Sequence, residues 1–298
     1  MSVIPKRESI PIVAPTPIPF QENDKPDFTL LEKNVSKWVK TGLSGFVVGS
    51  YGGEEFHLSD SEKILSVTTV SEAHEGQKFV IAGIDTPSPT VAVHMTESYA
   101  AAGADMVRIR IPENKKDRSS ETLIDYFETV SKYSPLPIII IHQPRQSITN
   151  DATHEEIGAV TQLDNIYAYI ISLNYRWECR AAQFVDPSVQ LWTCNGSLLL
   201  PGAMMGADGA CCFFANWAPE TCREVIKLVK CGDYKAALSI QNSLYHADSI
   251  GMTRGVAAQK AGLNLLGYDS TQPRRPTRSL TSKELSELKL AFQQAKIL

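Results

Sequence analysis

The chain has no dense run of basic residues and little net charge: 29 Lys and Arg stand against 33 Asp and Glu, a formal −4 over 298 residues. Nucleic acid and anionic membranes are held by clustered Lys and Arg, so neither is expected as a partner. No stretch is as long and apolar as a bilayer span, and the opening MSVIPKRESIPIV lacks the apolar core of a secretory signal. None of the six cysteines, Cys179, Cys194, Cys211, Cys212, Cys222 and Cys231, forms a C-x-x-C pair. Buried free thiols in an intracellular protein fit that better than disulfides or zinc, and the expected address is cytoplasmic. The six histidines, at 57, 74, 94, 142, 154 and 246, make no metal-ligand spacing, so no metal and no other cofactor is called for.

What the chain does have is alternation. The stretch GFVVGSYGGEE, Gly45 to Glu55, is a short apolar run that delivers a loop of glycines and hydroxyls. A strand of that kind suits a parallel sheet covered on both faces, and the loop at its carboxyl end is where such folds place chemistry. Glycines there let a ligand approach the backbone, and the Ser50 and Tyr51 hydroxyls can bind an oxyanion beside free N–H groups. The same string also reads as an ordinary strand-to-helix turn.

The unit recurs. Runs at 10–20, 45–50, 78–83, 105–111, 137–142, 165–172, 189–194 and 209–214 read as strands, with helical periodicity between them. Thr29/Glu32, Ser59/Glu62, Thr153/Glu156 and Thr281/Glu284 are capping-box patterns that open helices. Eight βα units in this length predict an α/β chain folded as a closed (β/α)8 TIM barrel rather than an open doubly wound sheet. After Ala218 only helical periodicity remains, near 219–231, 234–249, 251–266 and 281–295. Residues 1–218 therefore hold the strands and the helices between them, and residues 219–298 the last barrel helix and a C-terminal helical extension of the same domain.

Four segments, in order and on the expected elements, resemble those of the dihydrodipicolinate synthase and N-acetylneuraminate lyase family of Schiff-base-forming aldolase barrels. They are GSYGGE (49–54), VIAG (80–83), LPIIIIHQP (136–144) and PGAMMGADGACCFFANWAPE (201–220), and the likeness spans about 10–296. The resemblance implies the barrel, a lyase-type activity on a small carbonyl or carboxylate metabolite, and a homodimer or homotetramer. It also implies departures. The family's imine-forming lysine falls at Ile170, and no lysine lies between Lys132 and Lys227. The family's proton-relaying tyrosine falls at Ile141, and the tyrosine lent across its dimer falls within Pro112, Glu113 and Asn114, where there is none. An isoleucine cannot form an imine.

The strand ends offer other chemistry. His142 closes a run of four isoleucines and reads either as a general acid or base or as a histidine satisfied by backbone. Arg108 and Arg110 share one face of a strand; Arg108 reads as a structural ion pair, Arg110 as a carboxylate clamp. Glu54 or Glu55 reads as fixing the loop. A cysteine nucleophile would need a lowered pKa, and buried thiols are commoner. The candidate site is thus His142 for catalysis, with Ser50, Tyr51, Arg110 and Asn195 for substrate. Two readings compete: an enzyme of lyase type working without an imine, favoured by this polar set, and a non-catalytic homologue that binds, regulates or assembles, favoured by the joint loss of the lysine and both tyrosines. A third is an aldolase that takes its lysine from elsewhere.

Overall fold

The computed structural model describes residues 9–112, 120–143, 152–172 and 175–298. Glu113, Asn114 and most of the expected N-terminal arm lie outside them.

Eight parallel strands close into a barrel in chain order: β1 (Ile12–Pro15), β2 (Gly45–Val48), β3 (Phe79–Ile84), β4 (Met106–Arg110), β5 (Ile138–His142), β6 (Ile166–Ile171), β7 (Gln190–Thr193) and β8 (Gly209–Cys211). The barrel shuts where Ile12 and Val13 pair with Ala210 and Cys211. Helices α1 (Phe28–Trp38), α2 (Asp60–Ala73), α3 (Pro89–Ala101), α4 (Ser120–Tyr133), α5 (His154–Thr161), α6 (Tyr175–Ala181), α7 (Leu199–Met204) and α8 (Pro219–Lys230) follow the strands in turn. Two more complete the chain, α9 (Tyr234–Leu265) and α10 (Ser282–Gln294).

Three of the expected capping boxes are in place. Ser59, Thr153 and Thr281 each accept the backbone N–H three residues on, and Glu62, Glu156 and Glu284 reach back to the cap. The first helix begins earlier than its pattern predicts. Asp27 caps it, its Oδ1 accepting the Leu30 N–H at 3.0 Å, because an aspartate before Phe28 satisfies an orphan donor two residues ahead of Thr29.

Alternate residues of each strand face opposite sides of the barrel wall. The lumen is filled by Val13, Val47, Ile81, Met106, Ile139, Ile141, Ala168, Ile170 and Trp192, with Phe79 among them. The intervening residues, such as Val107, Ile109, Ile138 and Ile140, pack outward against the helices in a second, larger core. Burying two faces explains why the strands read as unbroken apolar runs rather than as alternating ones.

The extension differs from its sequence reading at one point. The segments expected near 234–249 and 251–266 are one 32-residue helix, α9, interrupted at Gly255, whose φ of 57° and ψ of −139° no helix contains. The first half of α9 locks the loop after β7: Gln241 donates to the Gly196 carbonyl and accepts the Leu200 N–H, both at 2.9 Å, and Asp248 accepts the Ser197 N–H at 2.8 Å and its hydroxyl.

Gly83 on β3 is the tightest backbone contact in the wall. A Cβ there would lie 1.7 Å from the Gly49 carbonyl oxygen and 2.8 Å from Arg108 Nη2. Gly83→Ala is therefore expected to cost about 3 kcal/mol or more, since backbone rather than a movable side chain blocks it. A thermal melt within a few degrees of the parent would contradict this crossing of β2 and β3.

Candidate active site

The loop after β2 is a 3₁₀ turn over Tyr51–Gly53. Gly53 N–H donates to the Ser50 carbonyl at 2.8 Å, Glu54 N–H to Tyr51 at 3.0 Å and Glu55 N–H to Ser50 at 3.2 Å. These three donors are spent inside the turn, so the cradle of free N–H groups expected from the glycines is not formed by them. The turn instead delivers two buried carboxylates. Glu54, in the left-handed region at φ 60°, meets Lys260 of α9 at 2.6 Å. Glu55 turns into the lumen.

Arg108 and Arg110 both face the lumen, on the side of Met106. Glu55 bridges them: Oε2 lies 3.0 Å from Arg108 Nη2, and Oε1 lies 2.7 Å from Arg110 Nη2. Arg108 also donates to the Gly49 carbonyl at 3.3 Å, and Arg110 Nε lies 2.8 Å from Asp85 Oδ2. Arg108 is the more deeply buried, with 3 % of its side chain exposed against 16 % for Arg110. The structural part expected of Arg108 and the outward reach expected of Arg110 thus belong to one charge cluster.

Above the apolar fill a pocket of about 110 Å³ opens at the carboxyl ends of the strands, the size for a small organic acid. Ser50, Tyr51, Arg110 and Asn195 all line it, as do Arg108, Ile141, Ser172, Cys194 and Cys211. Ser50 and Asn195 are buried, whereas Tyr51 is 58 % exposed and stands at the rim. Ile170 and Trp192 are fully buried beneath, and Phe214 packs outside the barrel wall. No described residue lining this pocket is a lysine.

His142 stands apart. It has the parity of Ile138 and Ile140, so it points away from the lumen, and its Nδ1 lies 2.6 Å from the Tyr169 hydroxyl and 3.3 Å from Trp177 Nε1. Its place at the end of β5 suggested the pocket; the alternation along the strand puts it on the other face. The two thiols that line the pocket are not activated either. Burial pushes Cys194 up to about 12 and Cys211 well above its ordinary value.

Comparison with known proteins agrees with this architecture. Residues 9–295 match the model of the dihydrodipicolinate synthetase family. The chain belongs to that family. It is 28% identical over 290 residues to the probable mitochondrial 4-hydroxy-2-oxoglutarate aldolase of Emericella nidulans, covering 95% of this chain and 94% of that one. It is 27% identical over 284 residues to 4-hydroxy-tetrahydrodipicolinate synthase 1 of Halalkalibacterium halodurans, covering 94% and 95%. Dihydrodipicolinate synthase of Cyanidioschyzon merolae, solved with lysine bound, superposes with a TM-score of 0.88 at 22% identity, over 98% of this chain and all of that one. The relatives of this family that resemble the chain are named as aldolases and synthases, which makes a lyase-type activity plausible here.

Two groups escaped the sequence. Gln259, on α9 beyond the break, lines the pocket; the glycine inside a helical pattern at 255 was its one signal. Glu178 on α6 is fully buried, and neither carboxyl oxygen has a hydrogen-bond partner among the described residues. Burial raises it from the ordinary 4.5 to about 7.

Two outcomes follow from these charges. Glu55→Ala leaves the Arg108 guanidinium buried with only a carbonyl, and is expected to cost about 3–5 kcal/mol by denaturant unfolding. Glu178 holds its proton in the fold at pH values where the unfolded chain has released it, so its contribution to stability falls as pH rises from about 4.5 to about 7, by about 3 kcal/mol in all. Glu178→Gln should flatten that stretch of the stability profile; an unchanged slope would mean that the carboxyl is hydrated.

Proposed function

We propose that the protein is a lyase-type enzyme of its family that acts on a small carbonyl or carboxylate metabolite without forming an imine. The observation that carries this is an arginine pair in the wall of one small pocket, with Ile170, fully buried in the apolar fill of the lumen, where the family resemblance places an imine-forming lysine. Breaking or making a bond beside a carbonyl needs a place for the electron pair. Without an iminium the carbonyl oxygen itself must take the charge, and fixed donors in a dry site stabilise it. Arg110, paired with Glu55 and Asp85, is the more exposed of the two arginines in the pocket wall; the Asn195 amide and the Ser50 hydroxyl complete the donor set. The Ser50 hydroxyl inside the pocket and the Tyr51 hydroxyl at its rim are able to pass a proton. His142 supports the wall from behind, through Tyr169 and Trp177, rather than touching the substrate.

The reading of an aldolase with a displaced lysine centres on Lys260, which burial lowers to about 8. Its ammonium is held by Glu54 at 2.6 Å, the Gln272 carbonyl at 2.9 Å and the Phe20 ring at 4.3 Å, and it does not line the pocket. The reading of a binding protein draws on the same charge cluster, because Glu55 and Asp85 already neutralise the arginines. We place the chain in the cytoplasm as a homodimer or homotetramer. No described helix is long and apolar enough to cross a membrane.

The test is incubation with pyruvate and a panel of 2-oxo acids, borohydride reduction and intact-mass measurement, with a known imine-forming aldolase in parallel. No adduct is expected on this chain, while 2-oxo acids bind, and Arg110→Met weakens that binding about tenfold to a hundredfold. A stable adduct would overturn the imine-free mechanism.

A further inference from the structure

Two cysteines stand side by side in the pocket wall. Strands β7 and β8 pair Trp192 with Gly209 and Thr193 with Ala210, so one step further along Cys194 stands opposite Cys211. Alternation turns both toward the lumen, where Cys211 belongs to the apolar fill and Cys194 packs against it. Both line the pocket of about 110 Å³. Cys211 is buried, whereas Cys194 is partly exposed, so the pair is reached from the side of Cys194. The Ser172 hydroxyl, also in the lining, is hydrogen-bonded to the Cys194 thiol. A second pair, Cys212 and Cys222, lies in contact behind the wall, and both of its members are buried.

The spacing of Cys194 and Cys211 suits a one-atom bridge better than a bond between the sulfurs. Neighbouring strands lie about 4.8 Å apart and their side chains stand perpendicular to the sheet, which holds the two Cβ atoms about that far apart. A disulfide asks for about 3.5–4.5 Å between them. A soft atom at about 2.3 Å from each sulfur spans up to about 4.6 Å from one to the other. Among the described residues no three His, Cys, Asp or Glu side chains are grouped to hold a metal ion, so an ion that wants four protein ligands, such as structural zinc, is poorly served. Two thiols alone satisfy a soft centre that keeps a third group of its own, and trivalent arsenic is such a centre.

We infer that Cys194 and Cys211 form a two-thiol binding site for trivalent arsenic compounds, with the third substituent left in the pocket. The step needs no oxidant. A compound R–As(OH)2 exchanges both hydroxyls for sulfur: two S–H and two As–O bonds break, two As–S and two O–H bonds form, and two waters leave with the arsenic still trivalent. Neither thiol has to ionise beforehand, because each S–H proton departs with an arsenic-bound hydroxyl. Reactants and products are neutral, so no charge enters the apolar fill. The second As–S bond closes within the molecule, which strengthens the hold about a hundredfold or more over that of a single thiol. None of this depends on the pocket being a site for oxo acids.

The experiment treats the full, reduced chain with phenylarsine oxide, which hydrates to a compound of this kind, then adds excess 2-mercaptoethanol and reads the intact mass under native conditions. One phenylarsenic group per chain is expected to survive the monothiol and to be removed by 2,3-dimercaptopropanol. Pepsin digestion and fragmentation of the parent adduct should place it across Cys194 and Cys211. Cys194→Ser and Cys211→Ala should each lower its retention about a hundredfold or more, while Cys222→Ser leaves it unchanged. The mapping on the parent chain needs no variant and so does not depend on how the variants fold. An adduct that the monothiol strips, or one mapped to Cys212 with Cys222 or to the exposed Cys231, would overturn the inference. So would retention that survives both Cys194→Ser and Cys211→Ala.

Discussion

The carboxylate of Glu55 is the point on which the barrel's carboxyl end depends. Two guanidinium groups inside a barrel lumen cannot stand unpaired, because the cost of stripping water from a charge exceeds anything apolar packing nearby returns. One carboxylate, carried in by the turn after β2, meets both at 3.0 and 2.7 Å. That demand fixes the turn. Its N–H groups bond inward, Glu54 accepts a left-handed backbone, and Gly83 must lack a side chain so that the Gly49 carbonyl and Arg108 fit beside it. Residues that looked like a ligand cradle are first of all a mount for two charges.

Below this cluster the lumen is dry and close-packed; above it the pocket is lined by hydroxyl, amide, thiol and guanidinium groups. The boundary falls at Ile141 and Ile170, which stand opposite each other in the pairing of β5 with β6. Bulk at those two positions sets the depth to which a ligand can descend, and leaves the polar groups around its sides rather than beneath it. Chemistry in such a pocket has to be done from the walls.

The fold was legible because its signal is repetition: eight apolar runs, each followed by a helical pattern, and capping boxes whose geometry is local. Asp27 was missed since two caps compete within three residues and the earlier one wins. The pocket was read in part. Ser50, Tyr51, Arg110 and Asn195 lie at strand ends, and strand ends converge in a barrel. His142 also lies at a strand end, but one residue of alternation sends its side chain to the opposite face of the wall. The run of four isoleucines hides that parity, because a strand buried on both sides carries no polar stripe to mark it. Gln259 was beyond reach for another reason: it comes from a helix that looks like an appendage in the sequence, yet residues of that helix on both sides of Gly255 line the pocket. Glu178 is an ordinary surface-helix residue in the sequence and an orphan carboxyl in the fold.

The interruption of α9 ties two ends of the pocket into one mechanical part. The half of the helix before Gly255 clamps the loop after β7, and the half after it supplies Gln259 to the pocket and Lys260 to the turn after β2. The rim on those two sides is therefore a single splint. Widening the entrance there means shifting the splint as a whole, against the buried bonds at both of its ends, so this stretch of the entrance is stiff by construction, and whatever passes must do so by its own shape.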